Sequence, residues 1–255
     1  MNNISAWLAA LEERHLANLT HSELTRALRA LSSCYVERRD KLSTGAALES
    51  AGKRAAFALF YGPLHFLTIG AIVRALGADR RRLDTIHDLG CGTGVGGAAW
   101  ALACERRPRV RGIDRNAWAV AEANWNYTAL GVNGRARTGD ALRESGNLAT
   151  GQSGDPQQSP ILLAYVVNEL PDPSRTQLLR TLIELAKRRG SFLLVEPIAK
   201  RDRPWWPEWA SRLTVEGARA DEWRFPADLP PALRQFAKSA GLDPRELTAR
   251  TIFTG

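Results

Sequence analysis

The sequence predicts an α/β fold built on a doubly wound, mostly parallel sheet, with a helical segment ahead of it. Three observations carry that prediction. From Leu83 onward, short apolar runs alternate with helix-like stretches, the pattern that strand–helix–strand crossovers leave in a chain. After the first run comes His87-Asp88-Leu89-Gly90-Cys91-Gly92-Thr93-Gly94. Its glycines let a ligand lie against bare backbone, while the next helix points its positive N-terminal end at that ligand. Acids then recur at strand ends, Asp114 and Asp140 following Asp88, where open parallel sheets bind their ligands.

Residues 1–78 read as helices. Ser5 or Asn3 caps a first one to about Asn18, and Thr20-His21-Ser22-Glu23 offers capping chemistry for a second, Leu24 to about Arg38, with Leu24, Leu28, Leu31 and Tyr35 at helical spacing. Ser43-Thr44-Gly45 breaks the pattern. Two more helices follow, Ala46 to Phe60 and Leu64 to Leu76, separated at Gly62-Pro63. This segment is expected to be a cap over the open edge of the sheet that chooses substrates, and residues 79–255 the ligand-binding domain.

The sheet begins with Leu83 to Ile86, followed by the helix Val95 to Cys104 and a strand from Arg109 to Ile113. Asn116 caps a helix through Leu130 that Gly131 closes. A third short strand precedes Thr138-Gly139-Asp140-Ala141-Leu142, and the polar run Arg143 to Ser159 reads as a surface loop. Ile161 to Val167 is the fourth strand. Asp172-Pro173 opens a helix that Gly190 ends, Ser191 to Glu196 is the fifth strand, and Thr248 to Thr254 a last, antiparallel one after the helix Pro231 to Ala240.

A chain of 255 residues that is 44% hydrophobic can bury the core of one such domain plus a cap. Cys34, Cys91 and Cys104 show no Cys-x-x-Cys spacing, which argues against a zinc site or a disulfide framework and suits a reducing compartment. The N-terminus lacks a basic segment followed by an apolar run, and no stretch of about 18 apolar residues stands out. The expectation is therefore a soluble, cytoplasmic protein without a membrane partner. The net charge of +8 invites a nucleic-acid partner. Most of the cations, among them Arg80 to Arg82, Arg106, Arg107, Arg109, Arg135, Arg137 and Lys187 to Arg189, fall before strands and after helices. There they complement helix C-termini at the sheet edge away from the ligand. Lys200, Arg201 and Arg203 follow the fifth strand instead and should flank the mouth of the site, with Lys200 and Arg201 as substrate contacts.

The glycine spacing narrows the ligand. A dinucleotide fingerprint starting at Gly90 needs its third glycine at position 95, which is Val95. No Gly-Lys-Ser/Thr follows, which also argues against a phosphate-binding P-loop. Asp114, about twenty residues beyond the turn, can accept hydrogen bonds from both hydroxyls of a ribose. Asp140 can accept from the amino group of an adenine. The set describes a site for an adenosine whose other end is not a pyrophosphate.

Over about residues 80 to 255, on the acidic Gly-x-Gly-x-Gly turn and the acids after the second and third strands, the chain resembles the class I S-adenosylmethionine-dependent methyltransferases. The resemblance implies their Rossmann-like fold, S-adenosyl-L-methionine as cofactor and S-adenosyl-L-homocysteine as product. Asp88, Gly90, Gly92 and Gly94 would then hold the methionine portion, Asp114 the ribose and Asp140 the adenine, with Cys91, Arg115, Ala141 and Tyr165 also lining the cofactor. The bland reading of Asp88 is a strand-end acid capping the next helix.

Methyl transfer from a sulfonium is an in-line displacement, promoted by holding the acceptor against the methyl group in a dry pocket. It needs no metal, and a base helps when the acceptor bears a proton. The fourth strand ends in Tyr165-Val166-Val167-Asn168-Glu169-Leu170-Pro171, where Asn168 can accept from an acceptor N–H and Glu169 can take a proton; the alternative is that both brace the loop. Glu196, before Pro197, can contact substrate or merely end its strand. Tyr61 and His65 are further substrate candidates, whereas His15, His21 and His87 have no partners visible in the sequence. Trp205, Trp206 and Trp209, with Trp223 and Phe225, can stack nucleobases, although their spacing after Pro204 favours packing of a helix onto a core.

Arg54-Ala55-Ala56-Phe57, Tyr61-Gly62-Pro63-Leu64, Tyr165 to Leu170 and Leu194-Val195-Glu196-Pro197 are similar to a methyltransferase-like family associated with the small ribosomal subunit. That family carries clustered cysteines for an iron–sulfur cluster, and this chain has no such cluster. The leading expectation is a methyltransferase acting on RNA or a small molecule. The alternative is a non-catalytic RNA or ribosome assembly factor that keeps the fold. A nicotinamide-dependent oxidoreductase is disfavoured by Val95.

Overall fold

A computed structural model describes residues 2–17, 19–36, 50–150, 155–198 and 204–255. The chain divides into two compact units. One is Met1–Leu67 with Pro226–Leu247, the other Thr68–Phe225 with Thr248–Gly255. The helix Pro231–Ala240 thus groups with the N-terminal helices, a long-range association that composition does not reveal.

In the first unit α1 spans Asn2–Leu16 and α2 His21–Val36. The expected capping chemistry opens α2: Thr20 Oγ1 accepts the Glu23 N–H at 3.3 Å, and the Glu23 carboxylate accepts the Thr20 N–H and hydroxyl, both at 2.8 Å. Leu24, Leu28 and Leu31 form its buried stripe, and Arg29 donates to the carbonyls of Ser239 and Ala240 at the end of the helix Pro231–Ala240, where a cation meets the negative end of the macrodipole.

Gly62-Pro63 does not interrupt the helical path. Ser50 caps α3 (Ala51–Ala56), a π-helical turn follows over Phe57–Tyr61, and α4 (Gly62–Ala75) continues directly. Proline has no N–H to donate, and its ring crowds the carbonyl four residues back. Widening the preceding turn, so that the Gly62 N–H reaches the Phe57 carbonyl, lets the chain accommodate it without breaking. The expected start at Ala46 lies outside the described residues. The 25-residue run Ala51–Ala75, whose most apolar 18-residue window has a mean hydropathy of 1.7, is long and apolar enough to cross a membrane by length and composition, so the sequence does hold such a stretch. Core helices share that composition, and 67% of its apolar window is buried.

The second unit holds the sheet. β1 (Thr85–Leu89), β2 (Arg109–Asp114), β3 (Gly134–Thr138), β4 (Ile161–Ala164), β5 (Phe192–Glu196), β6 (Arg219–Pro226) and β7 (Glu246–Thr254) lie in the order β3-β2-β1-β4-β5-β7-β6. The β1–β2, β1–β4, β2–β3 and β4–β5 pairs are parallel, and β7 runs antiparallel to β5. This is the doubly wound, mostly parallel sheet expected, and the reversal of strand order beside β1 puts a crevice at the C-terminal ends of β1 and β4. α5 (Val95–Ala103) and α6 (Ala117–Leu130) follow β1 and β2; α7 (Ala141–Ala149), α8 (Asp172–Lys187) and α9 (Trp205–Val215) follow β3, β4 and β5.

Several expectations are corrected. β1 continues beyond its apolar run, because His87 and Asp88 are themselves buried, 3% and 1% exposed, so the turn begins at Gly90. The polar run after Asp140 starts as helix α7: Asp140 caps it through the N–H groups of Leu142 and Arg143, and Leu148 joins the core. Residues 151–154 of that run lie outside the described set. β4 stops at Ala164 because Tyr165 adopts φ 63°, and Val167–Glu169 forms a 3₁₀ turn. Pro171, not Asp172, caps α8. β6 has no counterpart among the strands expected from sequence. Arg135 and Arg137 lie inside β3 rather than ahead of it.

Trp205, Trp206 and Trp209 pack as their spacing favours. All three are buried against Leu178, Leu182 and Leu213, with edge-on contacts of 5.6 Å between Trp205 and Trp206 and 4.9 Å between Trp205 and Trp209. Trp223 stacks on Phe225 and donates to Thr251 Oγ1.

Candidate active site

The glycine turn is shaped by backbone that side chains rarely adopt. Gly90, Gly92 and Gly94 have φ of 71°, 51° and 75°, the left-handed region in which only glycine is unstrained. The turn is tied to β2, whose Ile113 carbonyl accepts the N–H groups of both Gly90 and Cys91 at 2.7 and 2.9 Å. Gly90 is also pressed from behind: a Cβ there would sit 2.5 Å from Val166 Cγ2. At Gly92, by contrast, an added Cβ meets no described atom within 4 Å. The chain is therefore packed on one side of the turn and open on the other.

Asp88 faces α5. Its Oδ2 accepts the Gly97 N–H of α5 at 2.8 Å, which makes it the brace between strand and helix. Burial, eased by the Gly97 bond and reinforced by Asp114, pushes its carboxyl up to about 7. Cys91 is 7% exposed, and burial, with Asp88 and Asp114 adding, raises its thiol well above the ordinary value. It is a small side chain filling space, not a nucleophile.

Asp114 stands at the open side. Oδ2 accepts the Gly92 N–H at 2.9 Å and Oδ1 the Asn116 N–H at 2.8 Å, so the carboxylate is held rigidly and each oxygen keeps a lone pair for a ligand hydroxyl. An open glycine backbone beside a preoriented, half-buried carboxylate fits the ribose and amino-acid portions of S-adenosylmethionine. Asp140 is more committed. One oxygen caps α7, the other ion-pairs with Arg115, and the backbone bond from Arg143, with Arg115 adding, holds its carboxyl below the usual range. An adenine amino group reaching Asp140 must share it with Arg115. Ala141, next in the chain, is the first residue of α7.

At the end of β4, Glu196 organises the loop. It is fully buried, and Oε1 accepts the N–H groups of Val167 at 2.9 Å and Asn168 at 3.4 Å, while Oε2 accepts from the Asn168 side-chain amide. Glu196 is thus a positioning group inside the protein rather than a surface contact for substrate. A carboxylate only accepts, so Asn168 must turn its NH₂ toward Glu196 and is left with Oδ1 as an outward acceptor. Glu196 lies opposite Arg250 on β7, and the Arg250 guanidinium packs 4.1 Å over the Trp206 ring. The tryptophan cluster therefore reaches the site through this strand pair.

Glu169 is exposed at its own surface, yet protein crowds it at longer range. That crowding, with the like charges of Glu196 and Asp114, pushes its carboxyl up to about 8. Tyr165 combines its strained backbone with a hydroxyl bonded to Thr68; burial and the Glu196 charge raise its phenol. Left-handed backbone at a non-glycine residue costs about 1–3 kcal/mol and concentrates at functional sites.

Tyr61 and His65 belong to the first unit. Tyr61 contacts Phe60 edge-on at 5.4 Å, and His65 sits edge-on to Phe57 at 5.9 Å with its imidazole lowered to about 4 by burial. His65 is a neutral packed ring. Lys200, Arg201 and Arg203 lie outside the described residues. Sequence reasoning missed Val166 under Gly90, and Asn126, whose amide holds the Thr93 carbonyl at 2.9 Å. It also missed Tyr127, whose ring an added Cβ at Gly94 would meet at 2.8 Å. Asn126 and Tyr127 share the buried face of α6 with Ala119 and Ala123, and large side chains beside such small ones are the signal that could have found them.

Residues 71–149 match the family described as methyltransferase small domain. None of the curated proteins matches. Among solved structures, one from Nostoc punctiforme assigned to the O-methyltransferases is similar with a TM-score of 0.52 at 15% identity, over 89% of this chain and 71% of that one. A SAM-dependent methyltransferase from Aquifex aeolicus has a TM-score of 0.45 at 16% identity, over 74% and 90% of the two chains. The Pyrococcus abyssi tRNA (uracil-54, C5)-methyltransferase in complex with S-adenosyl-L-homocysteine has a TM-score of 0.41 at 15% identity, over 72% and 36%. The matched stretch runs from α4 to α7 and contains the whole glycine cradle with Asp88, Asp114 and Asp140. A methyltransferase domain is thus matched over the glycine cradle, and the chain has the Rossmann-like fold of the class I S-adenosylmethionine-dependent methyltransferases.

Proposed function

We propose that this enzyme methylates a proton-bearing nitrogen or oxygen of its acceptor, with Asn168 orienting that atom and Glu169 removing its proton. The observation that carries this reading is the Glu196-locked amide of Asn168, which leaves its carbonyl oxygen outside that bond, one residue before a carboxyl with a raised pKa. Bound S-adenosylmethionine supplies an electrophilic methyl group on a sulfonium. Gly90 to Gly94 and Asp114 would hold its amino-acid and ribose portions, and Asp140 with Arg115 would border the adenine. Asp88 acts from behind by fixing the turn to α5.

The remaining steps belong to side chains of this protein. On a nitrogen with two N–H bonds, Asn168 Oδ1 accepts one of them and Glu169 takes the other, while on a hydroxyl Glu169 alone accepts the single proton. In each case the acceptor lone pair is aligned for in-line attack as the methyl–sulfur bond breaks and S-adenosylhomocysteine leaves. Glu169, ionised above pH 8, takes the proton as the new bond forms. A carboxyl titrating near working pH combines the correct protonation state with useful basicity, which suits a general base. The test is methyl transfer to a panel of RNA and small-molecule acceptors across pH. The rate should rise through about pH 8 in the wild type and lose that dependence in Glu169→Gln. An unchanged pH profile in that variant rejects Glu169 as the base.

A further inference from the structure

β2 and β3 close one end of the sheet, and the face they turn toward α7 is strongly basic. Arg109 and Arg111 alternate with Val110 and Gly112 along β2, Arg135 and Arg137 flank Ala136 on β3, and all four arginines are exposed. The parallel register sets Arg111 beside Arg135 and Ile113 beside Arg137. Partners across a sheet share a face, so the four guanidinium groups point the same way. Ile113, in the same row, is buried with Leu89 and Leu148, which identifies the side as that of α7. Arg137 pairs there with Glu144 at 3.0 Å. Among the described residues Arg109, Arg111 and Arg135 form no ion pair.

These cations stand within strands, not past helix ends, so complementing helix dipoles does not account for them. Like charges directly opposite on neighbouring strands destabilise a sheet, and Arg111 beside Arg135 is such a pair. The field measures about 7 Å along each strand and about 5 Å between strands, which makes it small and nearly flat.

We propose that this arginine face binds the sugar–phosphate backbone of an unpaired RNA strand. Guanidinium forks match phosphate oxygens in pairs, and a field of this size meets two or three phosphates of one strand rather than the broad surface of a duplex. RNA offers such strands in its loops and bulges. The inference rests on the methyl-transfer reading only in making RNA the acceptor; the binding itself is measurable without turnover.

The experiment is fluorescence anisotropy with a short labelled single-stranded RNA of mixed sequence across a series of KCl concentrations, on the full chain and on Arg111→Gln/Arg135→Gln. Two to three phosphates neutralised predict a log–log salt slope of about −1.4 to −2.1, and the double variant should lose about half of it, with weaker binding at low salt. Titration of the same variant with S-adenosylmethionine should match the wild type, because neither arginine lies in the cradle. Equal RNA affinity and slope in the two proteins overturn the proposal, as does absence of RNA binding by a wild type that still binds cofactor. Tighter binding to duplex DNA of the same length, or displacement by polyglutamate as effective as by RNA, overturns it in favour of that other partner. Failure of the methyl-transfer reading has a different signature: RNA held through the arginines, with no methyl group transferred to any acceptor.

Discussion

Substituting alanine for Gly92 and, separately, for Gly90 distinguishes the open side of the cradle from its packed side. At Gly92, φ 51° makes any side chain strained, at about 1–2 kcal/mol, partly offset by about 0.4–1 kcal/mol from a stiffer unfolded chain. No described atom lies within 4 Å of the new Cβ, so no clash is added. With about 2.1 cal/mol/K of unfolding entropy per residue over 255 residues, 1 kcal/mol shifts Tm by about 2 °C, and Gly92→Ala should melt within about 2–3 °C of wild type. Gly90→Ala carries the same backbone strain at φ 71°. It adds a methyl 2.5 and 3.0 Å from the two Val166 Cγ atoms, an overlap worth about 1–3 kcal/mol more, so its Tm should fall by about 2–9 °C. Cofactor affinity should order the variants the other way. The Gly92 methyl enters the space the ligand occupies, and a clash of about 1.4–2.7 kcal/mol corresponds to 10- to 100-fold weaker binding. Thermal unfolding and calorimetric titration with S-adenosylmethionine and S-adenosylhomocysteine measure both quantities on the same samples. Wild-type affinity in a folded Gly92→Ala protein would refute the assignment of the open side to the cofactor.

Three other outcomes follow from the same geometry. Glu169→Gln should flatten the rise in methyl-transfer rate through about pH 8 while leaving cofactor affinity in place, read by initial rates and calorimetry. Glu196→Gln turns one acceptor into a donor, which forces the Asn168 amide to flip and present NH₂ to the acceptor. The rate should fall about 10²-fold or more. Adding Asn168→Asp restores an outward oxygen and should recover some of the loss, whereas additive losses would refute the positioning role. Asp88→Asn removes a carboxyl that the fold holds at about 7 against an ordinary 3.8. A raised acid contributes its full stability below its unfolded pKa and loses it as pH rises through the folded one. Wild-type stability should therefore decline between about pH 4 and 7, by an amount on the order of 4 kcal/mol. The asparagine, whose carbonyl still accepts the Gly97 N–H, should abolish that slope in urea unfolding measured across pH.

The cradle was legible because its requirements are local. A turn with three left-handed residues needs glycine at each, and acids at successive strand ends appear in the chain at the spacing that a strand, a helix and a strand consume, so Gly90, Gly92, Gly94, Asp114 and the sheet class could be read from order and type alone. The capping of α2 by Thr20 and Glu23, and the closure of α6 by Gly131, are local in the same way. What the sequence could not express is which atom each carboxylate faces. Asp88 and Glu196 look like ligand contacts in the chain; tertiary burial makes the first a brace on Gly97 and the second the anchor of Asn168, because a buried carboxylate takes whichever N–H groups packing brings to it. Their order along the chain, before strands and after helices, read the arginines as helix-end cations. Only the parallel register, which sets Arg111 beside Arg135, gathers them on one face. The helix α7 likewise depends in part on neighbours distant in sequence, since Leu148 on it packs into the core.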